Sequence, residues 1–497
     1  MDSRLELLDL PDELLLQIVS HLEPSSVIPL HRCRKRLRAL TRSDPTLWRS
    51  LCAYQATVEN SCPVWDRSEE LSAVIDNWPH KEIDWYSEYK FRHAPLTTRW
   101  LSCPDDEVKG LTSLTARNTH KHFLITPLED GAISIWSPTD TNDERDVSRS
   151  KPGVLSTPPP PASRKSRVME LGDNTVASSE LDRIYVASHS TLIELSLTTL
   201  QTISSTKFPF SISTLSSEIV SPHPLTVGTT LTLHLHDPRI ASAFAAPSTV
   251  LPHTFPANYA NHAPLFQPSP LAILHHPNNS LYVAGRFPSI LCYDRAMWPR
   301  LQGTLYSGAS LCTLTADGMG GLIAGGTYNG RGTLESYNLT PDVEVPQQRN
   351  RQSAAWGKIL SVAKQGARVV SCDSEGTVSW FEKDCRYVVR REEVYDPEFQ
   401  QETGTLWATT LEEGCGPARK VVVMEGGEGE GLGVWAGDRL GFLAPGRKDD
   451  EDEEEGDGVM VESKEELLEN EMADRMRRAL HAHADELRIL GTLAGLT

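Results

Sequence analysis

The chain has 497 residues, of which 39% are hydrophobic and 23% are charged. This length excludes a single small domain and predicts about two to four folded units. The formal net charge of −19 argues against non-specific nucleic-acid binding, which requires a basic surface. The sequence contains no apolar run of about 18 residues or more, so we expect no membrane-spanning helix.

The nine cysteines have no regular spacing and form no CxxC pair. This pattern is not that of a disulfide framework. The first residues lack the basic, apolar and small-residue order of a signal peptide. We therefore expect the protein in the reducing environment of the cytosol or the nucleus.

Residues 10–51 predict a compact module of three short helices. Pro11 suits the first turn of a helix, and Asp12 and Glu13 place negative charge where the helix dipole favours it. Apolar residues then recur at helical spacing and define one face. These residues are Leu14, Leu15, Ile18, Val19 and Leu22.

A second helix, capped by Ser25 or Ser26, precedes the Asp44-Pro45 pair, and a third follows it. The predicted inward residues of the second helix are Val27, Leu30, Cys33, Leu37 and Leu40, and the apolar residues of the third are Leu47, Trp48 and Leu51. Three short helices bury only a small core. The surplus of apolar side chains therefore predicts a surface for a partner.

The module resembles an F-box in its LPxELLxxIxxxL start, its Leu-x-x-Cys-x-x-x-Leu second helix and its DPxLW ending. The resemblance implies docking on a Skp-type adaptor and, through it, on a cullin-based ubiquitin ligase. The adaptor-facing residues that it implies are Leu10, Pro11, Leu14, Ile18, Leu22, Leu30 and Trp48. The alternative is an ordinary helical bundle at the start of a globular protein.

Residues 53–104 are rich in aromatic side chains, and residues 83–92 predict a short helix. Aromatic residues at a junction usually serve packing. We interpret this segment as a helical linker that holds the first module against the next domain.

From about residue 105 the pattern changes to short β-rich runs separated by Gly, Pro, Asn, Asp and Ser. Seven units follow one another. The first contains LTSLTA, HFLIT and AISIW, and a later one contains ILSVA, ARVVSCD and TVSWF. The other five fall within residues 183–197, 224–237, 270–294, 310–339 and 405–442.

The units close at intervals of about 40 to 60 residues, which is typical of a propeller repeat with loop insertions. They resemble degenerate WD repeats in their EDGAISIW and SEGTVSWF stretches. We therefore predict a seven-bladed β-propeller at residues 105–447, with an open β-sandwich as the alternative. Residues 97–103 are expected to supply the outer strand of the last blade and to close the ring.

Three further stretches lie outside the predicted blades. Residues 140–167, with four consecutive prolines, predict a disordered insertion, and the acidic residues 448–461 predict a disordered run. Residues 462–497 predict a C-terminal helix that docks on the propeller, binds a partner or stands alone. The predicted fold class is thus α+β, with a three-helix F-box at residues 1–52, the linker, the propeller and this helix.

The sequence contains no phosphate-binding loop, no nucleophile elbow and no HExxH helix. His234 and His236 share a face of one strand, so a metal site is conceivable there. No matching Cys or Asp spacing accompanies them, and we interpret them as packed or surface histidines. The remaining cysteines in apolar contexts, Cys292, Cys312 and Cys372, are predicted core residues. We expect no metal, no cofactor and no catalytic residues.

The favoured hypothesis is a substrate-recognition subunit of a ubiquitin ligase of the SCF (Skp–cullin–F-box) type, whose propeller captures an unknown protein target. The WD resemblance implies capture by basic residues on a propeller face. The blade region lacks a regular series of arginines for this role, and only Arg239, Arg286, Arg331 and Arg368 are scattered at unit turns and strand ends. The first alternative is a propeller scaffold that binds the adaptor without ubiquitin transfer. The second is a propeller enzyme, which requires acids or histidines such as His234 and His236 on the propeller axis.

Overall fold

The structure is a computed structural model. It describes residues 10–22, 35–42, 44–53, 84–93, 96–101, 107–116, 121–137, 148–155, 172–217, 225–236, 262–276, 279–317, 320–339, 349–366, 368–394, 418–424, 431–437 and 439–445. Several predictions lie outside these residues. They concern Ser25, Ser26, Leu30, Cys33, Arg239, the acidic run and the C-terminal helix.

Three helices occupy the described part of the N-terminal module, as predicted: α1 (Asp12–Ser20), α2 (Lys35–Arg42) and α3 (Pro45–Ala53). Pro11 lies one position earlier than expected. It is the N-cap of α1, with φ −55° and ψ 150°, and not a residue of the first turn. Its carbonyl oxygen accepts hydrogen bonds from the N–H groups of Leu14 and Leu15, both at 3.1 Å.

The core of this module is completed by a fourth helix, α4 (Trp85–His93). Its buried residues come from three helices: Val19 of α1, Leu47, Trp48, Leu51 and Cys52 of α3, and Trp85 and Tyr89 of α4. The predicted helix at residues 83–92 is therefore confirmed. Because α4 supplies two large rings, the N-terminal helices depend on a segment that lies about 30 residues further along the chain.

The β-rich region forms seven sheets of four antiparallel strands. Blade 1 contains β2 (Thr112–Thr115), β3 (His122–Pro127), β4 (Ile133–Trp136) and β5 (Ser148–Arg149). Blade 2 contains β6 (Thr175–Ser178), β7 (Arg183–Ser188), β8 (Thr191–Ser196) and β9 (Thr202–Lys207). Blade 3 contains β10 (Ile212–Leu215), β11 (Leu225–Thr229), β12 (Thr232–His236) and β13 (His262–Pro264).

Blade 4 contains β14 (Pro270–His275), β15 (Ser280–Gly285), β16 (Ser289–Asp294), a 3₁₀ turn (Arg295–Met297) and β17 (Leu301–Tyr306). Blade 5 contains β18 (Ser310–Ala316), β19 (Leu322–Tyr328), β20 (Arg331–Tyr337) and β21 (Arg349–Ala355). Blade 6 contains β22 (Ile359–Gln365), β23 (Arg368–Asp373), β24 (Thr377–Glu382) and β25 (Val388–Glu393). Blade 7 contains β26 (Ala418–Met424), β27 (Gly431–Ala436), β28 (Arg439–Pro445) and β1 (Leu96–Trp100).

The seven sheets form a closed ring. First strands of neighbouring blades contact one another from β10 through β26 and at β2 and β6, β10 contacts β7 of blade 2, and β2 of blade 1 contacts β26 of blade 7. Apolar side chains fill the spaces between blades, as where Ile125 and Ile193 bring blades 1 and 2 together. The predicted seven-bladed propeller is confirmed, and the open β-sandwich is excluded.

The ring is closed by a strand from the far end of the sequence. β1 pairs with β28 in antiparallel register from Leu96 opposite Pro445 to Trp100 opposite Gly441. The N–H group of Leu101 extends this ladder with a 2.8 Å bond to the carbonyl oxygen of Leu440. The prediction that residues 97–103 supply the outer strand of the last blade is confirmed, with the strand itself at Leu96–Trp100.

The predicted insertion at 140–167 is wrong for residues 148–155. Ser148–Arg149 form the outermost strand of blade 1, and Leu155 is buried in the core between blades 1 and 2. Both residues of this edge strand are exposed. It therefore lacks the apolar alternation by which a half-buried strand is recognised.

The register of β1 allows a matched test of ring closure. The N–H of Leu101 bonds to β28, and hydrogen-bonded positions alternate along an antiparallel ladder. The N–H of Thr97 therefore points to β28, and the N–H of Thr98 points away from it. Proline removes the N–H in either variant. We expect Thr97→Pro to lower the melting temperature of the whole propeller by several degrees, and Thr98→Pro, at an edge position that tolerates proline, to lower it less. Equal melting curves for the two variants would contradict closure by this ladder.

Candidate functional site

The exposed surface of α1 carries two large apolar side chains of the predicted adaptor site. Leu14 is 45% exposed and Ile18 is 40% exposed. They are four residues apart and so lie on the same face of the helix. Leu15 and Val19, one position further along, point into the core. The helix therefore has enough apolar residues for two faces, of which only one is covered within the described residues.

The other predicted site residues extend the surface of α1 to different degrees. Pro11 is exposed, and Leu10 and Leu22 are half-buried. An ion pair between Arg36 and Asp12 at 2.6 Å joins α2 to the start of α1. Arg36 also donates to the carbonyl oxygen of Leu10 at 3.3 Å. The exposed ion pair contributes little energy, and the burial of Leu15 and Val19 sets which side of α1 faces outward.

Trp48 lies inside the module and not on its surface. Only 1% of it is exposed, and its indole N–H donates to the carbonyl oxygen of Thr41 at 2.8 Å. Its ring contacts Tyr86 and Tyr89, with centroids 4.7 and 5.1 Å away. The F-box resemblance implied an adaptor-facing Trp48, but this placement makes it a core residue that supports α3 and α4.

Helix α4 joins the N-terminal module to the propeller through two different faces. Trp85 and Tyr89, spaced i and i+4, pack on the module core. Glu88 and Arg92, also spaced i and i+4, lie toward blade 6 with Phe91. This is the linker role that the aromatic-rich sequence predicts.

A cluster of buried charges holds α4 against blade 6. Arg92 donates to Glu88 at 2.6 Å and to Glu382 at 3.3 Å, and the side chains of Arg92 and Glu382 are each 1% exposed. Arg368 forms an ion pair with the second carboxylate oxygen of Glu88. Two arginines and two glutamates thus balance each other in a region from which water is largely removed.

Contacts of Phe91 and Arg390 complete the junction. The Phe91 ring packs edge-on against Trp380 at 6.1 Å, and the guanidinium of Arg368 lies 3.8 Å from its centroid. Arg390 donates to the carbonyl oxygen of Phe91 at 2.6 Å. The side chain of Arg368, one of the arginines scattered at unit turns and strand ends, is thus engaged by the junction with α4.

The pKa of Glu88 reflects this environment. Burial alone would raise the pKa, but the positive charges of Arg368 and Arg92, and their hydrogen bonds, hold it below its usual value. Glu88 is therefore ionised near neutral pH. A carboxylate with a depressed pKa stabilises the fold above its unfolded-state pKa, and this stabilisation disappears as the pH falls through its folded-state pKa.

His234 lies in blade 3 as a buried histidine. Its Nε2 is 2.7 Å from the hydroxyl of Thr232, and its ring stacks near His262 and packs edge-on against Phe208. Burial, together with the neighbouring His262 and His236, lowers the pKa of His234 to about 3. The interpretation of His234 as a packed histidine is confirmed.

The buried thiols are placed as predicted for Cys312 and Cys372, and Cys292 is half-buried. Burial raises the pKa of Cys292 to about 12, so its thiol stays protonated at neutral pH. Within the described ranges, no group of three or more His, Cys, Asp or Glu side chains has the arrangement of a metal site. None of the helices described is long and apolar enough to cross a membrane.

Comparison with known families supports the N-terminal assignment. Residues 7–54 match the family model described as F-box-like. A search of curated proteins finds no match to the chain. The chain therefore combines an F-box-like domain with a seven-bladed β-propeller, an architecture that fits substrate receptors of SCF-type ligases in general and is typical of non-catalytic receptor proteins.

The buried charge cluster at the α4 junction was not predicted from the sequence. The i, i+4 spacing of Glu88 and Arg92 is a local signal for an ion pair. Arg368 and Glu382 lie almost 300 residues away, and nothing local in the sequence links them to α4. Only the closed ring brings blade 6 beside a helix that precedes blade 1.

We expect Glu88→Gln to destabilise the junction because it leaves two arginines without their shared charge. Removing one member of a buried ion pair typically costs about 3–5 kcal/mol. Hydrogen exchange of α4 should become faster, and the melting temperature should fall. Arg36→Gln, which breaks the exposed pair with Asp12, is the matched control and should change both quantities little.

The pH dependence gives a second readout for Glu88. The difference in melting temperature between wild type and Glu88→Gln should be full at neutral pH. It should shrink as the pH falls from about 4.3, the ordinary pKa of Glu, through the lower folded-state pKa of Glu88, because first the unfolded chain and then the folded protein gains a proton there. A difference that does not vary with pH would contradict the electrostatic role.

The buried His234 should make the stability of the protein sensitive to acid independently of Glu88. The unfolded chain gains a proton at His234 below about pH 6.5, whereas the folded chain gains it only near pH 3, so the free energy of unfolding decreases as the pH falls between these values. We expect His234→Gln to make this decrease shallower between pH 6.5 and 4.5. The exposed His189→Asn is the control, and an equal change in both slopes would contradict the prediction.

Proposed function

We propose that this protein is the substrate-recognition subunit of an SCF-type ubiquitin ligase. The F-box-like domain binds a Skp-type adaptor and, through it, a cullin, while the propeller holds a protein target. The single observation that carries the proposal is the exposed apolar pair Leu14 and Ile18 inside a segment that matches the F-box-like family.

The proposed adaptor surface consists of Leu10, Pro11, Leu14, Ile18 and Leu22. Leu30, which lies outside the described residues, is included on the basis of the F-box sequence pattern. Apolar side chains of this size that stay exposed on a marginally stable helical module are typical of an interface. Trp48 is left out because its ring is buried. Its contribution is indirect, since it holds α3 and α4 under the interface helix.

The protein does no bond chemistry in this proposal. It raises the local concentration of the target at the ubiquitin-conjugating enzyme, which is a proximity effect. Such an effect requires a fixed distance and orientation between the adaptor and the target. The buried charge cluster between α4 and blade 6 supports the proposal because it makes the two domains one rigid arm. The reducing cytosol or nucleus is the proposed site of action.

A pull-down with two matched variants of α1 tests the adaptor surface. Ile18→Asp places a charge within the apolar surface, and Ser20→Asp places the same charge on another exposed part of the same helix. We expect wild type and Ser20→Asp to retain the Skp-type adaptor, and Ile18→Asp to lose it, because burying an unpaired charge costs several kcal/mol.

The same pull-down, probed for cullin, separates the receptor from a scaffold. If the wild-type protein recovers both adaptor and cullin, the result supports the role of a substrate receptor. Adaptor without cullin would instead indicate a scaffold that takes no part in ubiquitin transfer. Loss of the adaptor from both variants, or from neither, would contradict the proposed surface.

A further inference from the structure

The connections between strands define two sides of the propeller. Because successive strands are antiparallel, the turns after the first and third strands of each blade lie on one side. The turns after the second strand and the connections between blades lie on the other side. Helix α4 contacts Arg368 at the start of β23 and Glu382 at the end of β24, which places it on the first side. We call this the helix side and the opposite one the far side.

Large exposed apolar residues concentrate on the far side. Within the described propeller, all four exposed aromatic residues lie there: Phe266, Tyr306, Tyr328 and Trp356. Phe266 is 80%, Tyr306 73% and Trp356 64% exposed. Single exposed apolar residues are normal on any protein. Four aromatic residues on one side of three consecutive blades are a patch that indicates an interaction site.

Arginines accompany these rings on blades 4 and 5. The guanidinium of Arg331 lies 4.7 Å from the centroid of Trp356, and that of Arg351 lies 3.9 Å from the centroid of Tyr328. Arg286 is exposed at the turn between β15 and β16. Stacking on a ring holds a guanidinium in place while leaving its edge able to bind carboxylates.

The local charge differs in sign from that of the whole chain. On the far side of blades 4 and 5, Arg286 and Arg331 lie at the turns after the second strands and Lys358 precedes β22, although the formal net charge of the protein is −19. Glu335 lies beneath this region, is fully buried and pairs with Arg351 at 2.6 Å. Exposed acids, Glu375 and Glu393, border it on blade 6. The far side thus has a basic, aromatic area over blades 4 and 5 with an acidic edge.

We propose that this area, the aromatic–arginine surface formed by Arg286, Tyr306, Tyr328, Arg331 and Trp356, binds an acidic segment of the target protein. Large apolar side chains of the segment pack between the rings, and its Asp and Glu carboxylates meet the guanidinium groups. The proposal rests on the proposed function, since it names the target class of the same propeller.

The spacing of the arginines favours carboxylates over phosphate. Arg286 and Arg331 lie on turns of different blades, and Arg351 is held by Glu335. Charges spread in this way match single carboxylates distributed along an extended segment. A phosphate group instead calls for several guanidinium groups that converge on one point. The acidic edge on blade 6 confines such a segment to blades 4 and 5.

Fluorescence anisotropy with the full chain tests this surface. The probe is a fluorescein-labelled peptide of four Glu-Glu-Leu repeats, compared with a Lys-Lys-Leu peptide of the same length. We expect wild type to bind the acidic peptide, with an affinity that falls as salt is raised, and not the basic one. The double variant Arg331→Ala, Trp356→Ala should bind the acidic peptide about tenfold more weakly.

The matched control is the double variant Arg386→Ala, Met297→Ala. Both of these residues are exposed on the helix side, and the variant should bind the acidic peptide as wild type does. Equal binding of both peptides, no binding of the acidic peptide by wild type, or equal loss in the two variants would overturn the proposal. Clearly tighter binding of a Gly-phosphoserine-Leu peptide than of the Glu-Glu-Leu peptide would show that the surface prefers phosphate, and would overturn the proposal that it binds carboxylates.

The adaptor pull-down keeps this result separate from the proposed function. Arg331→Ala, Trp356→Ala should still retain the Skp-type adaptor, because its substitutions are on the far side. Adaptor binding without peptide binding would reject the aromatic–arginine surface alone. Peptide binding by a chain that captures no adaptor would reject the ligase role and leave the surface in place.

Discussion

The buried ion pairs between α4 and blade 6 are the interaction on which the arrangement of this protein depends. Removing Arg92, Glu88 and Glu382 from water is costly, and their mutual attraction offsets that cost only in good geometry. Here two arginines and two glutamates share one site, with Phe91 stacked under Arg368. Such a cluster tolerates little displacement, so it fixes the orientation of α4 more than it adds stability.

The position of α4 in the chain links this cluster to the closure of the ring. Only residues 94 and 95 separate the end of α4 from β1, the outer strand of blade 7. The helix and the closing strand are thus anchored on neighbouring blades, 6 and 7. Because α4 also completes the core of the N-terminal helices, one continuous stretch joins three structural tasks: covering that core, orienting it and closing the propeller.

The sequence predicted those features that rest on local patterns. The three helices, α4, seven repeats and the closing strand all have a periodicity or a turn signal that is visible within a few residues. Three features were not predicted because their cause is distant. Arg368 pairs with a helix almost 300 residues earlier, Trp48 is buried by rings from α4, and the exposed edge strand Ser148–Arg149 exists only because β4 offers a partner. Spatial neighbours, not sequence neighbours, determine all three.

The two sides of the propeller explain why a rigid junction suits a receptor. The F-box-like domain is held on the helix side, so a target bound on the far side is separated from the adaptor by the depth of the ring. A flexible joint would spread the target over many positions and reduce the gain from proximity. The charged side chains of Arg92 and Glu382 are each 1% exposed. Burying such charges is an unfavourable way to gain stability. It is a reasonable way to select one orientation, since any rotation of α4 would leave a charge without its partner.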